Sequence, residues 1–199
     1  MSLELLNTFG TLLTAAIVAA TAIAALVQLR HLRAGNQINA MLSIGNQYDH
    51  KEFRDARHLV QQKVAAALED PLFREYEFAV SRSLPVATVP DDFAQLRSAV
   101  NLIGNTHEEL GILVKNGIVD KDIFLDRYCW VIAEGWKQME RYVAYIREIV
   151  SNNAIWENFE YLAVLSEDWM AQHQSNYPRG VRRMQLSHPW PIPPLPATV

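Results

Sequence analysis

The sequence predicts an all-α protein in which an N-terminal transmembrane helix extends into a cytoplasmic helical bundle. Three observations predict it. Residues 5–29 form 25 consecutive positions without a charge, bracketed by Glu4 and Arg30. Beyond them, apolar residues recur at three- and four-residue spacing, the period of a helix with one buried face. No strand-like alternation of useful length occurs anywhere. The organisation expected is a transmembrane helix at 1–29, a cytoplasmic helical domain at 30–172 and a Pro-rich extended tail at 173–199.

The first element, Leu5 to Leu29, would measure about 37 Å as a helix, enough to cross a ~30 Å hydrocarbon core with some tilt. Its leucines, isoleucines, valines and Phe9 contribute about −3 to −7 kcal/mol toward insertion as an upper bound. The alanines add little, and Asn7, Gln28 and the threonines subtract. A cleaved signal peptide would want a basic leader, whereas Glu4 precedes this run. A buried helix of a soluble bundle is the rival reading, and it would need covering on every side. Arg30 and Arg33 follow the span directly, with Lys51, Arg54 and Arg57 beyond, and no Lys or Arg precedes it. The positive-inside rule then places the N-terminus outside the cell inner membrane and the rest of the chain in the cytoplasm. Ala16, Ala20 and Ala24 form a small-residue ladder, a basis for a homo-oligomer.

The helical pattern continues as a stalk to about Asn46, with Gly35 and Gly45 as weak points. Phe53, Ala56, Val60, Val64 and Ala67 mark the next helix, ended near Glu69-Asp70-Pro71. A short helix over Leu72–Val80 precedes a loop containing Pro85 and Pro90. Asp91 and Asp92 are placed to cap a long helix. Its stripe of Phe93, Leu96, Val100, Ile103, His107, Leu110 and Val114 has heptad spacing, and Asn116-Gly117 ends it. Asp120 is placed to cap the following helix, 121–150, striped by Phe124, Tyr128, Val131, Tyr142, Ile146 and Ile149. Two long helices with so short a joint read as an antiparallel hairpin. A last helix spans about Ile155–Ala171. Six of the nine prolines then fall from Tyr177 onward, which forbids helix and favours an extended tail. Such a tail is either passive, a ligand of SH3-like domains, or a lipid contact through its arginines and Trp190.

Chemistry is harder to find. Half the residues are apolar, so a core can be buried, and residues 34–168 carry 13 Lys/Arg against 21 Asp/Glu. That acidic balance argues against a nucleic-acid partner. The single cysteine, Cys129, excludes an intramolecular disulfide and reads as a small buried hydrophobe rather than a nucleophile. No nucleotide-binding or hydrolase signature is present. His107-Glu108-Glu109-Leu110-Gly111 opens like a zinc-protease helix, but Gly111 occupies the place of the second histidine. His107 lies on the apolar stripe and reads as a satisfied core histidine. Glu108 and Glu109 splay by about 100° and form no carboxylate pair. Asp122 and Asp126 share a helix face where the macrodipole alone explains them. Trp130, Trp136, Trp156 and Trp169 read as core or interface anchors. The remaining histidines, His31, His50, His58, His173 and His188, lack metal-ligand spacing. No catalytic, cofactor-binding or metal residue is assigned.

The run from Asn105 through His107-Glu108-Glu109-Leu110-Gly111 to Asn116-Gly117-Ile118-Val119-Asp120 carries a resemblance. With Glu52-Phe53-Arg54-Asp55-Ala56-Arg57 and Trp136, it resembles a group of small bacterial proteins known only as domains of unknown function. Those have one N-terminal membrane helix and an all-helical cytoplasmic domain. The resemblance covers most of residues 5–170, implies that topology and transfers no catalytic residue. Two functional expectations follow. One is a membrane-anchored interaction or scaffold module whose partners are the lipid bilayer, through Leu5–Leu29, and another protein or a second copy. The other is an enzyme or membrane effector with a polar site around Asn105, Glu108 and Glu109.

Overall fold

Helix ends set by local chemistry organise this chain. The computed structural model describes residues 3–86, 90–173 and, in the tail, 175, 177, 178, 180–185, 187 and 190, with the side chains of residues 5 and 6 outside that description. The elements are α1 (Leu3–Asp49), α2 (Lys51–Glu69), α3 (Pro71–Ser81), α4 (Asp91–Lys115), α5 (Lys121–Val150) and α6 (Glu157–Gln172). No strand occurs among the described residues.

α1 is one unbroken helix of 47 residues, about 70 Å long at 1.5 Å per residue. It passes through Gly35 and Gly45 without a break and ends three residues later than the stalk was expected to. Every side chain described between Leu3 and Ala34 is exposed. Among the described residues it is the one helix long and apolar enough, by length and composition, to cross a membrane. Only its C-terminal end packs: Ile44 is buried and Ala40, Met41 and Tyr48 lie against the core.

The punctuation predicted by sequence is largely realised. The Asp70 side chain accepts from the Leu72 amide at 2.9 Å, and Pro71 opens α3, a position where its missing N–H costs nothing. Asp120 caps α5 through the Ile123 amide at 3.0 Å. Gly117, at φ +66°, allows a Schellman ending to α4. The Gly117 amide donates to Val114 O at 3.1 Å and the Ile118 amide to Leu113 O at 3.0 Å. Asp91 and Asp92 do not cap. Pro90 takes the cap position with φ −60° and ψ 132°, its carbonyl accepting from Phe93 and Ala94. The two aspartates sit in the first turn, where they still meet the helix dipole favourably.

α2, α4, α6 and α5 close a ring, each touching the next, with α3 bridging α2 and α5. α4 and α5 share few direct contacts although they are consecutive. They lie diagonally, and α2 and α6 fill the space between them. The two helices of the expected hairpin thus pack less on each other than on α2 and α6. The physical reason is that both are buried on more than one face: α5 buries Leu125, Cys129, Ile132, Met139 and Val143 besides most of its predicted stripe, Val131 being half-buried. Glu77 of α3 is fully buried and held by the Arg97 guanidinium of α4. Burial pushes its carboxyl up, and Arg97 pulls it back toward ionisation.

In the tail, Tyr177 donates its hydroxyl to Arg182 O at 3.0 Å, and Arg183 lies over its ring. Trp190 is exposed. Pro189 and the run from Pro191 to Pro196 lie outside the described residues.

Candidate functional site

α4 carries Asn105, His107, Glu108, Glu109 and Lys115, and its helical geometry divides them between faces. The predicted stripe is buried from Leu96 to Val114, with Phe93 half-buried against the core. A second stripe lies one residue around the helix: Gly104, Glu108, Gly111 and Lys115, at i, i+4, i+7 and i+11. This face receives the start of α6.

α6 begins without a capping side chain of its own. Its cap position is Trp156, in the left-handed region at φ +53°, so its first amides need outside acceptors. Glu108 supplies them. One carboxylate oxygen accepts from the Asn158 amide at 2.9 Å and the Phe159 amide at 3.0 Å; the other accepts from Asn158 Nδ2 at 2.6 Å. A carboxylate at a helix N-terminus also meets the positive end of the dipole. Charge-assisted bonds of this kind contribute about 1.5–3 kcal/mol each. Asn105 Oδ1 accepts from Trp156 Nε1 at 2.9 Å, and Lys115 donates to Asn158 Oδ1 at 3.2 Å. The glycines make the approach possible. A Cβ on Gly111 would fall on the Asn158 backbone, and one on Gly104 on the Trp156 ring.

The polar cluster expected around Asn105, Glu108 and Glu109 is therefore not a converging site. Glu108 caps a neighbouring helix, Asn105 holds a tryptophan, and Glu109 is exposed. Asn158, which completes the joint, was not singled out by sequence, and Trp156 was read there only as a core or interface anchor. The pair Gly104 and Gly111, two turns apart and in phase with Glu108, is the signal that marks it.

His107 faces inward. Its ring stacks on Phe159 with centroids 4.4 Å apart and meets Tyr48 of α1 edge-on at 5.8 Å. Nδ1 donates to Ile103 O at 2.7 Å, which leaves Nε2 as an acceptor, and Nε2 is buried without a partner. Burial lowers its pKa to about 4, the Ile103 carbonyl opposing and the nearby Arg57 charge assisting, so the ring is neutral. It is a core histidine, as expected, but satisfied at one nitrogen only. Beside it lies a cavity of about 160 Å³ whose walls include Arg57, Gln61, Glu134 and Gln138. The hydroxyls of Tyr48 and Tyr128, whose rings stack at 5.0 Å, are also buried without partners.

The other candidates stand apart from this region. Cys129 is buried, which pushes its thiol up and away from nucleophilic use. Trp156 is buried and Trp136 and Trp169 pack against the core, whereas Trp130 is exposed. His31, His50 and His58 are exposed, and His173 stacks on Trp169; His188 lies outside the described residues. Among the described residues no three His, Cys, Asp or Glu side chains gather as metal ligands.

No curated protein and no solved structure matches the chain. One family model matches residues 15–169, from within the apolar part of α1 to near the end of α6. The match thus takes in the α4 stripe, the Glu108 cap and the cavity together, and leaves out the tail. The chain belongs to the DUF4760 family of domains of unknown function.

Proposed function

We propose that this protein is a membrane-anchored helical interaction module: α1 fixes it in a bilayer, and the bundle binds a protein or a second copy. One observation carries the reading. The stretch of α1 from Asn7 to Leu29 is uncharged, mostly apolar and exposed throughout, yet belongs to the same unbroken helix whose end is built into the core. In water so large an exposed apolar surface is unfavourable; in hydrocarbon it is the expected state.

The polar groups of the span support the same reading. Thr8, Thr11, Thr14 and Thr21 each donate to the carbonyl four residues back, at 2.8–3.0 Å, which lowers the cost of placing a hydroxyl in lipid. Arg30 and Arg33 at the end of the span favour an inner-membrane orientation with the bundle in the cytoplasm. The ladder of Ala16, Ala20 and Ala24 gives a face for self-association. Of the polar residues of α4 that suggested an enzyme, Asn105 and Glu108 are bonded into the α4–α6 joint.

The test is alkaline carbonate extraction of membranes, followed by detergent solubilisation, co-purification and mass measurement. The expected result is a protein that resists extraction, leaves the membrane when residues 1–33 are removed, and travels with a partner or a second copy. Full release by carbonate would overturn the anchor. A lone monomer in mild detergent, unchanged by Ala20→Leu, would overturn the interaction role.

A further inference from the structure

We propose that the tail after α6 is a second membrane contact: Arg182 and Arg183, beside the exposed Val181, Met184 and Trp190, bind anionic lipid headgroups on the leaflet facing the bundle. The proposal rests on the reading that α1 crosses a bilayer, and it names the lipid chemistry which that leaflet must offer.

Helix directions place the start of the tail. α1 meets α5 at Tyr128, whose hydroxyl lies 3.6 Å from where a Cβ on Gly45 would stand. Closer to the span, α1 shares a groove with the first turns of α5, lined by Ala34 and Ile38 together with Asp120 and Ile123. The start of α5 therefore marks the end of the bundle from which the span departs. The short joint at 116–120 puts the end of α4 there too.

α6 runs toward that same end. Trp156 packs at Gly104, and Asn158 packs farther along α4, at Gly111 and Lys115. On α5, Trp156 stacks on Tyr142, while Phe159 meets Trp136 and Gly135, nearer the start of that helix. Two separate registers thus agree, and Gln172 releases the tail on the side of the span. Reach is ample. Ala34 stands ~7 Å of helix beyond Leu29, and the chain from His173 to Trp190 covers up to ~55 Å when extended.

Composition selects the partner. Residues 34–168 carry 13 Lys/Arg against 21 Asp/Glu, whereas Arg179, Arg182 and Arg183 follow Asp168 with no acidic side chain. An anionic leaflet repels the acidic bundle and attracts the tail. The tail also sets apolar groups beside its charges: Val181, Met184 and Trp190 are 55%, 71% and 73% exposed. Tyr177 donates its hydroxyl to Arg182 O, and Arg183 lies over its ring, so both arginines are held next to an aromatic. Arginines interleaved with Tyr and Trp suit the headgroup layer, where one end of each side chain is wet and the other is not.

The experiment places the full chain in lipid nanodiscs that carry a spin-labelled lipid, its quencher just below the headgroups. Trp190 is read as the fluorescence lost in Trp190→Phe. Discs of phosphatidylcholine alone are compared with discs that also contain phosphatidylglycerol. Quenching of Trp190 is expected to be about twofold or more stronger in the anionic discs. It should fall to the neutral level in the double variant Arg182→Gln, Arg183→Gln, and in about 0.5 M salt. Equal quenching in both discs, or quenching indifferent to the arginines, overturns the proposal. Quenching in neither leaves the tail in water, open to a proline-reading protein domain, and overturns it as well. A chain that never enters the discs overturns the anchor on which the proposal rests, so the two failures are distinguishable.

Discussion

The stretch of α1 from Asn7 to Ala34 and the stripe Gly104–Glu108–Gly111–Lys115 of α4 invert the usual relation between polarity and burial. The first is mostly apolar and exposed throughout. The second carries two charges and two glycines and forms a close joint. Hydrophobicity measures what a segment gains by leaving water, but not what it meets instead. Nothing in the bundle covers the first segment, so its apolar surface is available to lipid or to another copy. The second is covered because backbone amides at the start of α6 need acceptors, and because glycine lets two backbones meet. An apolar surface without a partner points outward to function; a polar one with every bond made points inward to architecture.

This contrast can be broken at either end. The largest effect is expected from Gly111→Val. Its side chain would have to displace the backbone of Asn158, an overpacking the helix cannot absorb. A loss of about 3 kcal/mol or more is expected in urea unfolding, with α6 amides losing hydrogen-exchange protection first. A loss below ~1 kcal/mol would show that α6 does not dock there.

The next effect comes from pH. Burial holds the folded-state pKa of His107 at about 4, against 6.5 for the free side chain. Between those values the unfolded chain binds more protons than the folded one, so stability rises with pH across this window. Acidification from pH 6.5 toward 4 should therefore remove up to about 3 kcal/mol, with little further loss from this residue below pH 4. His107→Phe keeps a flat ring against Phe159 and should flatten that slope in urea unfolding at pH 7 and pH 4.5. An unchanged slope in this variant would assign the titration elsewhere.

The smallest effect belongs to α1. Leu26 is 61% exposed, so Leu26→Ala should leave unfolding of the bundle in detergent within about 0.5 kcal/mol of the parent. A loss of ~2 kcal/mol, typical of a core leucine, would mean that the apolar stretch folds back onto protein.

The helices were legible because the signals that start and stop them are local. Asp70-Pro71, Asp120 and Asn116-Gly117 act on amides and carbonyls a few residues away, and each does so in the fold. The His107 stripe was legible for the same reason: a 3.6-residue period reports one buried face. The joint was not, because Glu108 and its partners lie 50 residues apart, and a glycine face leaves no hydrophobic signature. The start of α6 was placed two residues early, since the left-handed turn at Trp156 depends on bonds to α4 rather than on its neighbours.

By itself, then, the sequence determined which segments are helical, where most of them end and that one long helix carries an uncharged, largely apolar run, since each follows from short-range bonding and composition. Only the tertiary structure decided that α4 and α5 stand diagonally, that Glu108 serves a helix far along the chain, and that His107 keeps one bare nitrogen beside a cavity. Those outcomes depend on which surfaces meet in space, and a carboxylate or an imidazole has no defined role until the groups around it are in place.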